Sequence, residues 1–219
     1  MSAAPVLVLV LVIVDGVALG LATESTTFRS WLLDPPVGRE PGTVVPTPPE
    51  TERLRFRCWT PADLELAREL WGDPRVTRLI DARPRLDEDE VRRRLDLELA
   101  REASHGIQYW PLFLREGGDF VGCCGLRPAD PGVLELGFHL RPDHWGQGLA
   151  GEAAQAVVAH AFDVLGVEAL CAGHHPENAA SARLLEKLGF RRIGESLFPA
   201  TGRIHPAYLL RADEAELRS

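Results

Sequence analysis

Apolar residues alternate with polar ones along residues 133–140, where Val133, Leu134, Leu136, Phe138 and Leu140 are interleaved with Glu135 and His139. That pattern predicts a strand. Pro142 ends it, because proline has no N–H to give a ladder. The small-residue run Trp145-Gly146-Gln147-Gly148-Leu149-Ala150-Gly151 follows, and then a helical stripe takes over. Ala150, Ala153, Ala154, Val157, Val158, Ala161, Phe162 and Leu165 recur at helical spacing up to Gly166, which predicts a core-facing helix over 148–165. A strand at 168–174 would complete a parallel, right-handed β-α-β unit.

Upstream, residues 54–59 alternate as a first strand. Thr60-Pro61 reads as a helix start before residues 62–71, and Gly72-Asp73-Pro74 as its end. Residues 87–104 form a charged amphipathic helix with Val91, Leu95, Leu97 and Leu99 on its apolar side, and its charges read as a solvated face. Residues 107–115 and 120–127 read as strands joined by a turn at 116–119, with Gly122 and Gly125 marking a close approach. With 133–140 they predict an antiparallel meander. Downstream, Asn178 reads as the cap of a helix with Leu184, Leu185 and Leu188 on its core side, followed by strands at 190–198 and 204–211.

The first 50 residues do not fit this scheme. Residues 6–14 are an unbroken apolar run ending at Asp15-Gly16, and residues 34–50 are a proline-rich linker. A membrane span of about 20 residues would bury Asp15 near its middle. A signal peptide would carry a basic start, and the first basic residue is Arg29. A hairpin turning at Asp15-Gly16 suits the β-branched run but is marginal alone. The remaining reading puts the segment outside the working domain, poorly ordered, or untranslated if synthesis begins at Val44 or Val45. The domain is expected at 51–213.

Composition narrows the function. With 45% hydrophobic residues among 219, one sizeable core is available. A formal net charge of −8 argues against nucleic acid as partner and is compatible with an amine. Cys58, Cys123, Cys124 and Cys171 show neither metal nor disulfide spacing and read as buried thiols of a cytoplasmic protein. Cys123 and Cys124 should face opposite sides of their strand. His174 and His175, taken with Cys171 and His205, suggest a metal set, but the adjacent histidines should diverge, so no metal site is expected.

A helix start exposes unpaired N–H groups, and small residues let a phosphate reach them. The run at 145–151 lacks the Gly-Lys-Ser/Thr of a nucleotide-triphosphate loop and the acidic partner of a dinucleotide fingerprint. It resembles motif A of the GNAT family of N-acetyltransferases, with Trp145, Gly148 and Ala150 at that motif's positions. The form Trp-Gly-x-Gly-x-Ala is similar to the branch of ribosomal-protein N-terminal alanine acetyltransferases. Residues 51–63 resemble the opening of that branch. Residues 178–190, NAASARLLEKLGF, resemble motif B of the family.

The resemblance implies an α/β fold: a mixed, mostly antiparallel sheet of six to seven strands with about four helices and splayed central strands. It also implies transfer of acetyl from acetyl-coenzyme A to a primary amine, without metal. The alternative is a non-catalytic acyl-coenzyme A sensor or scaffold of the same fold. By this resemblance the amides of Gln147, Gly148, Leu149, Ala150 and Gly151 hold the pyrophosphate. The backbone of Leu136, Phe138 and Leu140 pairs with the pantetheine arm, and Asn178 reaches the cofactor from the other side. Glu135 is the expected base, with His139 behind it. Ser181 is the expected acid; the tyrosine many members carry on this helix is missing, and Tyr208 is the distant substitute. An α-amine, with a pKa near 8, is freed of its proton roughly 3 kcal/mol more cheaply than a lysine. That favours a protein N-terminus or a weakly basic small amine.

Overall fold

A computed structural model describes residues 46–216. The readings of the apolar run and of most of the linker fall outside the described residues.

The chain runs β1 (Leu54–Phe56), α1 (Leu64–Trp71), α2 (Pro74–Thr77), α3 (Glu88–His105), β2 (Tyr109–Leu114), β3 (Phe120–Asp130), β4 (Val133–Leu140), α4 (Leu149–Ala159), β5 (Ala169–Gly173), α5 (Ala179–Lys187), β6 (Arg191–Phe198), β7 (Arg203–Arg211) and α6 (Ala212–Glu216). The seven strands form one open sheet in the order β1-β2-β3-β4-β5-β7-β6. Every neighbouring pair is antiparallel except β4 and β5. The two helices beyond the expected four or so are the short α2 and α6.

Alternation sorts the side chains onto two cores. Leu126, Leu134, Leu136 and Leu170 pack with Leu149, Ala153, Ala154 and Val157 of α4 and Leu185 of α5. On the opposite face Tyr109, Phe120 and Cys123 pack with Leu70 and Trp71 of α1 and Val91 and Leu95 of α3. Cys123 and Cys124 are both buried and divide between the faces, as their adjacency requires. The alanines of α4 let its axis lie close to the sheet.

Two elements differ from their sequence pattern. β1 stops at Phe56, because the chain turns away: the Trp59 N–H goes to Gln108 Oε1 at 3.0 Å, and Thr60 and Asp63 close a capping box that Arg57 clamps with two 2.7 Å contacts. The helix expected to reach residue 165 is α-helical only to Ala159 and then widens to a π turn, His160–Val164, with the Leu165 N–H on His160 O at 3.1 Å. The wider turn keeps Ala161 and Leu165 in the core while His160 meets the edge of Trp110.

The decisive feature lies at the middle of the sheet. β4 and β5 pair only at Val133↔Ala169, Leu134↔Leu170 and Glu135↔Cys171. Beyond Glu135, β4 continues to Leu140 along β3 alone, and β5 follows β7. The central strands therefore part at Glu135, as the splayed-sheet expectation requires.

Candidate active site

The parting of β4 and β5 opens into a cavity of about 1060 Å³. Glu135, Leu136, Phe138, Leu140, Gly148, Leu149, Ala150, Gly151, Asn178 and Ser181 all line it. Gln147 does not. Its side chain turns back to Asp143 O at 2.9 Å, and its carbonyl accepts from Arg53 Nη1 at 3.0 Å.

At one end the loop after β4 delivers the start of α4. Trp145 Nε1 donates to Leu140 O at 2.8 Å and ties the loop back to the strand. Gly146 and Gly148 take left-handed φ values of 74° and 78°, which a side chain would strain. No side chain caps the helix at Gly148. Gly148, Leu149, Ala150 and Gly151 line the cavity at this uncapped start, the positive end of the helix dipole, an arrangement that suits an anion. The Arg53 guanidinium stands beside Gly148, where an added Cβ would lie 3.6 Å from Nη2. Arg53 is fixed by Glu152, whose Oε1 accepts from Arg53 N at 2.8 Å and whose Oε2 accepts from Arg53 Nε at 2.6 Å; Thr51 Oγ1 also donates to Glu152. Burial alone would raise the Glu152 carboxyl, but the bonds from Thr51 and Arg53 outweigh it and hold it below the usual carboxylate range.

Where the strands part, Glu135 Oε1 accepts from the Tyr109 hydroxyl at 2.9 Å. Tyr109 reaches it from β2 across Gly137 of β4, where a Cβ would sit 2.0 Å from the phenol oxygen. The Tyr109 hydroxyl is held protonated, its pKa pushed far up chiefly by burial, with Glu135 and Glu98 adding to it. Arg127 lies over the Tyr109 ring at 3.8 Å. Its Nη2 donates to Glu98 Oε1 at 2.7 Å, and Arg101 Nη1 donates to the same oxygen at 2.9 Å. Glu98 Oε2 accepts the Tyr109 N–H at 2.8 Å. Glu98 is therefore buried in a set of donors, not solvated as its place on a charged helix implied.

His139 also lines the cavity, but Trp71 Nε1 donates to its Nδ1 at 3.2 Å. Burial first, and then Arg127 and Arg94, push its pKa far down. The Nδ1 lone pair is thus engaged by Trp71, and the surroundings disfavour the charged ring.

Residues 53–191 match the family model for the acetyltransferase (GNAT) domain. The chain belongs to the GNAT family. An uncharacterized N-acetyltransferase, p20 of Bacillus licheniformis, is 30% identical over 167 residues, 73% of this chain and 92% of that one. Two solved structures at lower identity share the GNAT fold. One is the ribosomal L7/L12 alpha-N-protein acetyltransferase RimL in complex with coenzyme A, with TM-score 0.65, 15% identity and coverage of 76% and 98% of the two chains. The other is a spermidine N-acetyltransferase from Vibrio cholerae in complex with coenzyme A and spermine, with TM-score 0.63, 17% identity and coverage of 74% and 98%. As a GNAT protein the chain is an acyltransferase.

On the other wall of this GNAT cavity, Asn178 caps α5 by accepting the Ser181 N–H at 3.1 Å. Ser181 is buried at the lining. Tyr208 of β7 stands opposite Ala172, with its hydroxyl 3.3 Å from His174 Nε2. His175 turns the other way, toward the His205 ring, so the adjacent histidines do diverge. Among the described residues no group of three or more His, Cys, Asp or Glu is placed to hold a metal.

Tyr109, Gly137, Glu98, Arg127 and Arg53 escape the sequence reading. Only Arg53 left a trace, as part of the opening that resembles the family.

Proposed function

We propose that the protein moves the acetyl group of acetyl-coenzyme A directly to a primary amine, both being bound at once. The observation that carries this is the position of Glu135, the last residue of β4 paired with β5, at the mouth of the gap between them. The uncapped amides of Gly148, Leu149, Ala150 and Gly151 suit a pyrophosphate, with Arg53 beside them. The backbone groups of Leu136, Phe138 and Leu140 that face the gap suit the amides of a pantetheine arm. When bound, the thioester supplies the acyl group.

Glu135 takes the proton of the incoming amine, directly or through one water. The Tyr109 hydroxyl fixes the carboxylate and is too weak an acid to protonate it. Ser181 hydrogen-bonds the departing sulfur. Tyr208, which lines the cavity with its hydroxyl 3.3 Å from His174 Nε2, is the alternative donor of a proton to the thiolate. For the acceptor, the two named neighbours span a protein α-amine and a polyamine. The lower pKa of an α-amine favours a protein N-terminus or a weakly basic small amine.

The test is thiol release from acetyl-coenzyme A in the presence of amines and N-terminal peptides. Release that saturates in one amine supports the reading. Tight coenzyme A binding with no release above background overturns it and leaves a binding module.

A further inference from the structure

The cavity does not share the sign of the chain. The protein carries a formal net charge of −8, yet Arg78, Arg83, Arg93, Arg94, Arg101 and Arg127 line the space around the α3 end of the gap, against Asp81, Glu90, Glu98 and Glu135. The pairing within this set leaves charge over. One carboxylate, Glu98, serves both Arg101 and Arg127. Arg83 divides between Asp81, at 2.8 Å and 2.9 Å, and Glu90, which Arg93 also reaches at 2.9 Å, and Arg94 pairs with Asp81 at 3.4 Å, so three carboxylates serve five arginines. Arg127 also keeps a buried Nε with no partner. Arg94 is pressed into the wall, its side chain only 19% exposed. Burial and then the neighbouring Arg127 work against its charge and lower its pKa. A buried cation held next to another cation is stabilised by an anion from outside.

This charge lies at the reacting end of the cavity and not at the Gly148 loop. Arg101, Arg127 and Tyr109 all feel the charge of Glu135. Planar guanidinium groups match a carboxylate in two-point geometry. They also make it easier for an amine held between them and Glu135 to lose its proton, because a nearby positive charge disfavours the ammonium form.

We infer that the acceptor is a primary amine that carries a carboxylate on the same molecule, with the amine at Glu135 and the carboxylate on Arg94 beside Arg101 and Arg127. This rests on the acetyltransferase reading above. The same arrangement repels a polyamine.

The experiment compares kcat/KM of the full chain for amino acids, their amides, spermidine, and short peptides with an acidic or a lysine second residue. An amino acid preferred at least ten-fold over its amide supports the inference. The amide holds the less basic amine, so nucleophile supply alone works against that result. A matching preference among the peptides assigns the carboxylate to an acidic peptide, and its absence there assigns it to a free amino acid. Equal rates for acid and amide, or a faster reaction with spermidine, overturn the inference and leave the transferase standing. No thiol release from any amine overturns both. Arg94→Gln should bring the acid-to-amide ratio toward one and Arg94→Lys should retain most of it, with coenzyme A affinity measured on the same samples as the check of folding. A ratio unmoved by Arg94→Gln refutes the role of Arg94.

Discussion

The Tyr109 hydroxyl meets Glu135 Oε1 at 2.9 Å by lying across Gly137, where no other residue leaves it room. Three strands are needed for this one contact: β2 supplies the phenol, and β4, between β3 and the gap, supplies both the carboxylate and the missing side chain. Removing only the oxygen, as in Tyr109→Phe, keeps the ring in its slot and frees the carboxylate to rotate. Turnover is expected to fall about ten-fold, the scale of one lost orienting hydrogen bond, with coenzyme A affinity changed less than two-fold. Steady-state kinetics and calorimetry on one preparation decide it, and full activity would show that Glu135 is oriented by something else.

Glu135→Gln keeps the shape and removes the basicity. A loss of about 10²- to 10⁴-fold in kcat is expected, the range for a general base, with coenzyme A binding retained. If the variant matched the parent in rate and pH profile, another group would have to take the proton.

Gly137→Ala places a methyl where the Tyr109 oxygen now lies. Either the ring or β4 must move, at a cost of about 1–3 kcal/mol in stability, and turnover should drop with it. Gly117→Ala is the control, since its φ of 80° is strained but an added Cβ meets nothing within 4 Å. It should cost about 1–2 kcal/mol and leave the kinetics alone. Urea titrations that ranked the two equally, with equal activity, would mean that Gly137 is not a slot.

Gly148→Asp brings a carboxylate and a Cβ to the left-handed residue that opens α4. Coenzyme A affinity should weaken ten-fold or more by calorimetry, and unchanged affinity would move the pyrophosphate elsewhere.

His205 is buried, with Nε2 2.8 Å from Thr201 Oγ1, its ring stacked on Phe198 and the His175 ring edge-on. Burial first, and then His175 and His174, lower its pKa to about 4. Unfolded, it would titrate near 6.5, so between those values the unfolded chain binds a proton that the folded one refuses. Its contribution to stability is complete above about pH 6.5 and is lost as pH falls toward 4. His205→Gln should reduce the pH slope of the unfolding free energy in that window by up to about one proton. His139 and His175, shifted in the same direction, keep the slope from vanishing. An identical slope in both proteins would place His205 in water.

Much of this architecture could be read along the chain because it is written in local periodicity. The alternation in β4, the alanine stripe of α4, the thin positions Gly122 and Gly125, and Asn178 as a cap all follow from neighbours a few residues apart. Added Cβ atoms at Gly122 and Gly125 would lie 2.2 Å and 2.0 Å from backbone oxygens, so both glycines do mark close approaches. What escaped depends on contacts between distant segments. Glu98 looks solvated on a helix full of charges, and its burial shows only once Tyr109 of β2 and Arg127 of β3 are brought against it. Gly137 reads as one more small residue until Tyr109 is laid over it. The whole-chain charge says nothing of the arginines gathered along the cavity from α3, β3 and the segment before α3.

Glu152 also clasps Thr51 and Arg53, a hundred positions earlier, onto the first turn of α4. These residues precede β1 and steady it, Arg53 O accepting the Arg115 N–H at 2.9 Å and Thr51 Oγ1 the Leu54 N–H at 2.9 Å, so a chain trimmed to begin at Leu54 would lose these bonds but not the residues of any strand or helix named above. It would nevertheless lose the cation next to Gly148 and leave Glu152 unneutralised beside an incoming diphosphate. The helix start thus borrows its neighbouring cation from the residue just before β1.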